Sequence, residues 1–526
     1  MGGLLGESRE EVSRGHSTPG HVRGKGQIFN SGSSYLMAVK RTITAEKYVK
    51  RQLNLFDTEE WRTHSPSVSG VDVFHSATGR VCAEWVSDCK EERVLTRHLL
   101  EQVTDLGNLE RACRKVISNR GSAGIDGMNV KELGKWFSKN SHFLRKSLQN
   151  GQYCPEPVLE VEIPKANGGV RKLGIPTVID RLVQQAIHQV LSPRYELIFS
   201  DYSYGFRPKR SAHDALFQGC NFVSEGRKWM VDIDLEKFFD QVNHQRLMWL
   251  LSRRIGDKSL LRLIHRMLKT GILTGGLVSQ RISGTPQGGP LSPLLSNIVL
   301  DELDKELERR GHAFVRYADD LRIFVRSEEA AMRVMGSVTR YIEERLRLKV
   351  NREKSQTCKV WQTNFLGHSF LGDGSLFLSK ESVKQFKAAI KDITSRRRGI
   401  SLEQLVNELN SKLRGWLGYF HYARMNNRLS NLMGWLRRRI RSFRLKQCKR
   451  AIGIVRFLTK LGVPKWRTWL VALSGKGWWR LSATPQAHEG MNREWFNKIG
   501  LYDLEQNYQR LKIEETAVYQ QVRTVV

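Results

Sequence analysis

A pair of adjacent aspartates between two short apolar runs is the feature that most constrains the fold of this chain. Residues 316–325 read RYADDLRIFV, with Asp319 and Asp320 at the centre. The β-branched and aromatic runs on either side predict two strands, so the pair lies at the tip of a hairpin. Two carboxylates this close repel each other, which raises the pKa of one of them. A solvated turn is one explanation, because aspartate is common in turns. A bound cation is the other.

A third carboxylate follows another predicted strand. Residues 229–234 read WMVDID, an apolar run that ends at Asp234. If this strand neighbours the hairpin, Asp234 meets the aspartate pair at one end of a sheet. Oxygen ligands of this kind bind Mg²⁺, and two such ions stabilise the attacking and leaving oxygens of phosphoryl transfer. The nearby carboxylates of Asp232 and Asp240 are interpreted as structural.

The charge of the chain indicates a polyanionic partner. Among 526 residues, 86 Lys and Arg stand against 53 Asp and Glu, a formal net charge of +33. The stretch 373–470 holds 23 Lys and Arg but five Asp and Glu, and so carries more than half of that excess. Such an excess favours nucleic acid, because neutralised phosphates release counterions. No apolar run approaches the roughly 20 residues that span a bilayer. Seven scattered cysteines without a C-x-x-C pair favour a reducing cytosol over disulfides or zinc.

Hydrophobic patterns divide the chain into a loose beginning, a mixed middle and a helical end. Residues 1–90 are rich in Gly, Ser and Thr and show little periodicity. A hairpin is predicted from the runs 158–164 and 170–176, and three basic helices are predicted over 380–396, 402–424 and 428–450. Further helices are predicted over 94–116, 235–254, 291–310 and 330–348. The predicted fold class is therefore α+β.

Eight blocks in this sequence resemble, in order, those of the reverse transcriptases encoded by group II introns. The blocks are GSAGIDG (121–127), IPKANGGVRKLGIPTVIDRLVQQAI (163–187), YSYGFRPKRSAHDAL (202–216), DLEKFFDQVNH (234–244), GTPQGGPLSPLLSNIVLDELD (284–304), YADD (317–320), LKVNREKSQ (348–356) and FLGHSF (365–370). The resemblance implies a right-hand polymerase with fingers, a palm of antiparallel sheet plus helices, and an α-helical thumb, or maturase X domain. The domains it implies are an N-terminal extension (1–90), the N-terminal block and fingers (91–228), the palm (229–375), the thumb or X domain (376–474) and a nucleic-acid-binding tail (475–526).

The same resemblance implies a catalytic site. Asp234, Asp319 and Asp320 would be catalytic and would hold two Mg²⁺ ions, with help from the backbone carbonyl of Leu235. The nucleotide-binding residues would be Lys165, Arg171, Phe239, Gln287 and Lys354. A guanidinium fork suits phosphate oxygens, and the ring of Phe239 would exclude a 2′-hydroxyl. For Lys165 and Arg171 the alternative explanation is simple solvation, and for Gln287 it is an ordinary loop. For Lys354 the alternative is a cation at a helix end, and for Phe239 it is core packing.

Glycines and aromatic residues near the site leave two readings open. Gly288 and Gly289 would let the backbone approach nucleic acid closely, although an ordinary loop before a helix also explains them. The segment 365–370 would grip the primer strand, and a buried hairpin is an equally good explanation.

The basic helices after residue 375 resemble the thumb of the family. Trp416, Tyr419 and Phe420 are spaced as one helix face, which predicts core packing. The cations of the third helix are predicted to bind RNA, since few acidic residues are present to balance them, although a solvated face remains an alternative. These cations are Arg437, Arg438, Arg439, Arg441, Arg444, Lys446, Lys449 and Arg450.

The tail is rich in tryptophan. Trp478, Trp479 and Trp495 are either base-stacking platforms or members of a small core. Members of the family often carry a His-Asn-His nuclease with paired cysteines. No cysteine follows Cys448, so we expect no endonuclease domain, and we expect single-stranded DNA at replication forks as the insertion target.

The resemblance implies an RNA-directed DNA polymerase that also binds its group II intron RNA as a maturase, aiding splicing and mobility. Its partners would be the intron RNA, an RNA template with a DNA primer, dNTPs and target DNA, with no membrane. Its place would be the bacterial cytoplasm, at the nucleoid through nucleic acid. The alternatives are an RNA-binding splicing factor with an idle polymerase and a reverse transcriptase domesticated for phage defence or repair. The intact carboxylates argue against the splicing factor with an idle polymerase. A polymerase that synthesises RNA is a further alternative, and the ring of Phe239 argues against it.

Overall fold

The structure is a computed structural model that describes residues 98–164, 170–274, 277–279, 284 and 288–525. The predicted extension 1–90 lies outside the described residues, as do Lys165 and Gln287, and only the backbone of Arg171 is described. Helices and three small sheets make up the described part of the chain, so the predicted α+β class is confirmed. In that part, none of the helices has the length and apolar character that crossing a bilayer requires.

Helices and one hairpin form the first described part. Its elements are α1 (Leu99–Thr104), α2 (Leu106–Ser118), α3 (Leu133–Gln149), β1 (Val158–Pro164), β2 (Val170–Ile175), α4 (Val178–Glu196) and α5 (Ala212–Ser224). The single helix predicted over 94–116 is two helices, because Asp105 leaves the helical conformation and its side chain accepts from the N–H of Asn108. The predicted hairpin is present, with Leu159 of β1 opposite Ile175 of β2.

The middle of the chain forms an antiparallel sheet with helices. Its elements are β3 (Trp229–Ile233), α6 (Phe238–Gln241), α7 (His244–Ser252), α8 (Lys258–Lys269), β4 (Ile272–Thr274), β5 (Leu277–Ser279), α9 (Ser292–Arg309), β6 (Ala313–Tyr317), β7 (Asp320–Val325), α10 (Glu328–Tyr341) and β8 (Gln356–Lys359). This central sheet has the order β6-β7-β3-β8, whereas β4 and β5 extend the first hairpin into a sheet of order β2-β1-β4-β5. The helix predicted over 235–254 is broken where Asn243 caps α7 by accepting from the N–H of Arg246.

The central sheet separates two hydrophobic cores. Side chains alternate between the faces of a strand, so Val231 and Ile323 face one core, which α9 and α10 share. Met230, Val315 and Phe324 face the other core. That second core continues into the C-terminal helices, so the sheet is the layer that joins the two halves of the molecule.

The C-terminal part is helical after one small hairpin. Its elements are β9 (His368–Phe370), β10 (Leu376–Leu378), α11 (Lys380–Ile393), α12 (Leu402–Phe420), α13 (Asn426–Gln447), α14 (Ala451–Lys460), α15 (Lys465–Ala472), α16 (Trp478–Leu481), α17 (Pro485–Gly490), α18 (Arg493–Lys498) and α19 (Leu504–Val525). The three basic helices predicted from the sequence are α11, α12 and α13. Trp416 is buried with Phe386 against it, as its helical spacing predicts.

The tail packs onto the thumb helices α11–α13 in one shared core. Trp495 and Phe496 are buried in the same cluster as Leu436 and Ile440 of α13. Trp495 is therefore a core residue and not a base-stacking platform. Trp479 is half-buried, so part of this residue faces solvent. The core continues across the predicted boundary between residues 474 and 475.

A shared core predicts that damage in the tail destabilises the thumb. Phe496 is 2% exposed, so Phe496→Ala should lower the free energy of unfolding by about 3–5 kcal/mol. Denaturant unfolding, followed by tryptophan fluorescence and by circular dichroism, should shift in both signals together. Phe143→Ala removes a ring that is 71% exposed and serves as the control, with a change of about 0.5 kcal/mol or less. Two separate transitions in the Phe496 variant would contradict a single core.

Candidate active site

Strands β3 and β7 set Asp234 and Asp320 beside each other. The strands are antiparallel, and their last registered pair is Ile233 opposite Leu321. Continuing that register by one residue brings Asp234 opposite Asp320, at the shared end of the two strands. Asp319 lies next to Asp320 in the turn that joins β6 to β7. The structure therefore brings the three predicted carboxylates together.

A buried arginine braces the turn that holds the aspartate pair. Ala318 in this turn has a φ of 59°, a left-handed conformation that a residue with a Cβ rarely adopts. Arg316, 1% exposed, donates from Nη1 to the carbonyl of Ala318 at 2.8 Å and to Asn297 Oδ1 at 3.0 Å. Its Nε donates to Asp304 Oδ1 at 2.7 Å, and that carboxylate is fully buried. This buried ion pair fixes the turn to α9.

A second segment covers the open edge of β6. The N–H of Tyr204 donates to the carbonyl of Arg316, and the N–H of Arg316 donates to the carbonyl of Tyr202, both at 2.9 Å. Gly205 then passes so close to the turn that a Cβ on it would lie 2.1 Å from the nitrogen of Ala318. The blocks YSYGF and YADD, far apart in sequence, are therefore in direct contact.

The segment 348–356 holds Asp234 from the other side. The N–H of Asp234 donates to Ser355 Oγ at 3.0 Å, and its carbonyl accepts from the N–H of Asn351 at 2.9 Å. Lys354 Nζ lies 3.4 Å from Asp234 Oδ2. Lys354 is thus at the carboxylate site, as the sequence predicts, and its binding of a nucleotide stays a prediction.

The carbonyl of Leu235 faces the same side as the aspartates. Leu235 and Val350 form an antiparallel bridge whose two hydrogen bonds involve the residues on either side of Leu235. In such a pair the residue's own N–H and C=O point away from the partner strand. The carbonyl of Leu235 therefore points to the side of the strand where β7 lies.

An arginine and a fourth carboxylate complete the cluster, and neither was predicted from the sequence. Asp232 lies opposite Arg322 in the ladder, and Arg322 Nη1 is 2.5 Å from both Asp232 Oδ1 and Asp320 Oδ1. Burial raises the pKa of Asp320 to about 6, with the neighbouring carboxylates adding to the effect and Arg322 opposing it. Burial likewise raises the pKa of Asp232. A charged residue inside the apolar run LRIFV was the available signal, because a buried guanidinium requires a partner.

The donor atoms of the cluster suit a hard divalent cation. Within the ranges that the structure describes, no three His, Cys, Asp or Glu side chains stand at metal-binding spacing. Arg322 and Lys354 pair with the carboxylates there instead. Carboxylate and carbonyl oxygens are nevertheless the ligands that Mg²⁺ takes. The carboxylates of Asp234, Asp319 and Asp320 and the carbonyl of Leu235 fit such a group.

Two adjacent phenylalanines of the predicted site differ in burial, and the two glycines there pack against the protein. Phe238 is 2% exposed and Phe239 is half-buried, so Phe238 is the core ring and Phe239 keeps a free edge. A Cβ on Gly289 would lie 2.1 Å from Gln184 Oε1, and one on Gly288 2.5 Å from a carbonyl of β2. Packing within the protein is therefore sufficient to require Gly288, which meets backbone and has a φ of 131°, whereas the atom close to Gly289 is the end of a flexible side chain.

The segment predicted to grip the primer is a buried hairpin turn. Phe365, His368 and Phe370 are each fully buried, and Phe365 and His368 pair across the turn. Of the two explanations that the sequence left open, the buried hairpin is the one that describes these side chains.

Most of the cations predicted to bind RNA contact neighbouring parts of the protein. Carbonyl oxygens, a hydroxyl and aromatic rings serve as partners in place of the scarce carboxylates, and RNA binding by these cations stays a prediction. The contacts are Arg437 with Asp503, Arg438 with the carbonyl and ring of Trp479, Arg439 with Thr394 Oγ1, Arg441 with the carbonyl of Met491, Arg444 with the ring of Phe457, and Lys446 with the carbonyl of Arg396. Lys449 and Arg450 are exposed. Arg441 is 6% exposed and donates from Nε to the carbonyl of Met491 at 3.1 Å, so its contacts lie within the protein, and burial lowers its pKa to about 10.

Known sequence families match the two halves of this arrangement. The family "Reverse transcriptase (RNA-dependent DNA polymerase)" matches residues 163–370, and "Group II intron, maturase-specific domain" matches residues 383–461. Protein YkfC of Escherichia coli K12 is 31% identical over 363 residues, which cover 59% of this chain and 94% of YkfC. The chain belongs to the group II intron reverse transcriptase and maturase family. It is an RNA-directed DNA polymerase, and the predicted family resemblance is confirmed.

Two other relatives match a smaller share of their own length. The group II intron-encoded protein LtrA of Lactococcus lactis is 40% identical over 202 residues, or 37% of the reverse transcriptase described here and 32% of LtrA. The putative COX1/OXI3 intron 2 protein of Saccharomyces cerevisiae is 29% identical over 348 residues, covering 54% of this chain and 39% of that protein. A solved Cas6-RT-Cas1–Cas2 complex is 26% identical over 47% of this chain and 42% of that chain, with a TM-score of 0.31 that carries no structural argument.

The close approach of Gly205 to the turn predicts that this glycine cannot be replaced. In Gly205→Ala the added carbon meets backbone at 2.1 Å, so the turn must move, and DNA synthesis by the reverse transcriptase should fall by about 100-fold or more, as for a misplaced reacting group. Primer extension on an RNA template measures the loss. Gly415→Ala on α12, where a Cβ meets nothing within 4 Å, is the matched control and should gain about 0.5–1 kcal/mol of stability. Equal activity of the two variants would contradict the contact.

The helix under the turn carries a carboxylate that costs stability. Burial, with the nearby charge of Asp304, raises the pKa of Asp301 to about 6, and its Oδ1 is buried without a hydrogen-bond partner. Because the pKa of Asp301 is higher in the folded state than in the unfolded state, ionisation of this carboxyl destabilises the fold. The destabilisation is complete above about pH 6 and disappears below the unfolded-state pKa of about 3.9. Asp301→Asn should therefore raise the thermal midpoint at neutral pH, and the gain should shrink as the pH falls towards 4. A gain that is independent of pH would contradict this origin.

Proposed function

We propose that this reverse transcriptase extends a DNA primer along an RNA template by a two-metal nucleotidyl transfer centred on Asp234, Asp319 and Asp320. The observation that carries the proposal is the register of β3 against β7. It sets a carboxylate from each strand at the same end and on the same face of the central sheet. RNA binding alone requires no clustered carboxylates, so an idle polymerase is the weaker candidate.

The chain's own groups bind and orient the reactants in this proposal. Two Mg²⁺ ions, when bound, stabilise the attacking and leaving oxygens of the displacement. Asp234 and Asp320 would hold the metals from adjacent strands, Asp319 would add a carboxylate from the turn, and Leu235 would add its carbonyl. The primer 3′-hydroxyl loses its proton to water as its oxygen bonds to the α-phosphorus of the dNTP and the bond to pyrophosphate breaks. The buried pair of Arg316 keeps the turn in place throughout.

Selection of dNTPs is assigned to the free edge of Phe239. This ring follows Asp234 by five positions and is half-buried, and a ring beneath the sugar leaves no room for a 2′-hydroxyl. Lys165 and Arg171, from the β1–β2 hairpin, are proposed to hold the triphosphate with Lys354. Gln287 is proposed to contact the incoming nucleotide or the nascent base pair.

A row of lysines on α11 is proposed as the surface that follows the nucleic-acid backbone. Lys380, Lys384, Lys387 and Lys391 recur every three or four residues, so they share one helix face, and all four are exposed. Ser382, near the start of α11, donates from Oγ to the carbonyl of Gly367. Gly367 lies two residues after Phe365, whose ring faces Arg322 of the carboxylate cluster. Through these contacts the row of lysines starts at the hairpin turn 365–368. At 1.5 Å per residue it is about 17 Å long, enough to meet several phosphates.

The partners follow from the family and the charge. The maturase domain favours group II intron RNA, and the polymerase domain favours an RNA template with a DNA primer, dNTPs and a target DNA. The division into fingers (91–228), palm (229–375), thumb (376–474) and tail (475–526) is likewise proposed, as are the bacterial cytoplasm and nucleoid as its location. Lys449 and Arg450 remain candidates for intron RNA because both are exposed.

The carboxylates are expected to be required for chemistry and dispensable for RNA binding. Replacing Asp319 and Asp320 with Ala removes metal stabilisation worth several kcal/mol, so primer extension should fall by about 10³-fold or more. RNA affinity of the purified variant should stay within about threefold of wild type. The assay compares dNTPs with NTPs, with and without Mg²⁺. Wild-type protein that binds intron RNA but adds no nucleotides would favour the splicing factor with an idle polymerase.

Removing charge from the lysine row should reduce the salt dependence of nucleic-acid binding. In Lys384→Gln/Lys391→Gln, the slope of log affinity against log salt should fall by about 1.5, since each phosphate contact contributes about 0.7–0.9. The control Lys258→Gln/Lys269→Gln removes two exposed charges from α8 and should leave the slope unchanged. The same reduction in both variants would show a non-specific effect of net charge.

A further inference from the structure

A guanidinium lies inside the carboxylate cluster of the proposed metal site. Arg322 is 5% exposed, and its Nη1 touches Asp232 Oδ1 and Asp320 Oδ1 at 2.5 Å each. Those two carboxylate oxygens therefore lie within twice that distance of each other. On the opposite flank the guanidinium carbon is 5.4 Å from the centre of the Phe365 ring. The site thus holds four aspartates and two cations, of which Arg322 is buried and Lys354 is exposed.

The contacts of Arg322 are concentrated on one nitrogen. Its Nε is buried and has no hydrogen-bond partner, whereas Nη1 contacts both carboxylates and also donates to the carbonyl of Leu321 at 3.1 Å. Nη1 is thus shared between Asp320, a proposed metal ligand, and Asp232, whose carboxylate also hydrogen-bonds the side chain of Gln356 on β8. Because Asp232 lies two residues before Asp234 on the same face of β3, it is near enough to compete for a metal once Arg322 is removed.

We infer that Arg322 is a positioning residue that ties Asp232 to one oxygen of Asp320, so that Asp232 stays out of the metal shell. The second oxygen of Asp320 is left for the metal. This inference rests on the proposed two-metal function and adds the selection of three aspartates from four. Partners of this kind around metal ligands change affinity or activity by about 10–100-fold when mutated.

The sign of the effect separates this role from a structural one. Without Arg322, Asp232 becomes an extra carboxylate at the site, and metal affinity rises with the charge of the ligand set. The productive geometry is lost at the same time, because Asp320 is no longer held and a surplus ligand enters the shell. Tighter metal binding with slower chemistry is therefore the expected signature.

Arg322→Gln in the full chain provides the test. Mn²⁺ binding to the substrate-free protein, measured by electron paramagnetic resonance, should tighten by about tenfold, while kcat for primer extension falls by about 10–100-fold. The double variant Arg322→Gln/Asp232→Asn removes the surplus carboxylate, and its Mn²⁺ affinity should return to within about threefold of wild type. Unchanged or weaker Mn²⁺ binding in Arg322→Gln, or no return in the double variant, would overturn the inference.

Two further variants keep the test decisive. Arg246→Gln is the control, because Arg246 also pairs with a carboxylate, Glu302, and also has a buried Nε without a partner; its Mn²⁺ affinity should not change. If Arg322→Gln does not fold, Arg322→Lys replaces it in the test. Wild-type Mn²⁺ affinity with a reduced kcat would support the inference, whereas tenfold weaker Mn²⁺ binding would overturn it. If the wild-type chain adds no dNTPs, the proposed function is refuted instead. The Mn²⁺ titrations test the inference separately, because they require no nucleotide addition.

Discussion

The register between β3 and β7 is the constraint on which the rest of the site depends. Asp234 and Asp320 share a face only because Ile233 is opposite Leu321. Side chains alternate along a strand, so a slip of one residue would send one carboxylate into the core that α9 and α10 share. The apolar residues that alternate with the aspartates, Val231 and Ile323 among them, therefore fix the position of the carboxylates together with the polar contacts.

Two arginines make this hairpin compatible with burial. Arg316 and Arg322 lie on opposite faces of neighbouring strands, and each is matched to carboxylates, Asp304 on one face and Asp232 with Asp320 on the other. An unpaired buried charge would cost several kcal/mol. Sequence blocks that look independent are for that reason parts of one network, since α9, the 202–205 segment and the aspartate turn meet around Arg316.

The sequence was sufficient for the strands of the central hairpin, for most helices and for the grouping of the three aspartates, because periodicity and ordered motifs are local signals. It was not sufficient for the partners of buried charges, which are set by tertiary contacts. Asp232 was interpreted as structural although it contacts the same guanidinium as Asp320. The thumb arginines were predicted to face RNA because carboxylates were scarce, yet backbone carbonyls and rings such as Trp479 satisfy them. Breaks at Asp105 and Asn243 depended on caps that periodicity does not reveal.

The face of the central sheet that carries the carboxylates is also the face onto which the thumb core packs. Met230 and Phe324 belong to that core, and Asp232 and Arg322 are the next residues along the same face. A layer of packed side chains thus connects the strands that carry the carboxylates with the C-terminal helices. Heat that loosens this core should therefore also disorder the end of the sheet that carries the carboxylates. Template retention and polymerisation should therefore fail at one temperature, and engineering that thickens this layer would extend both towards hotter conditions, where RNA secondary structure melts.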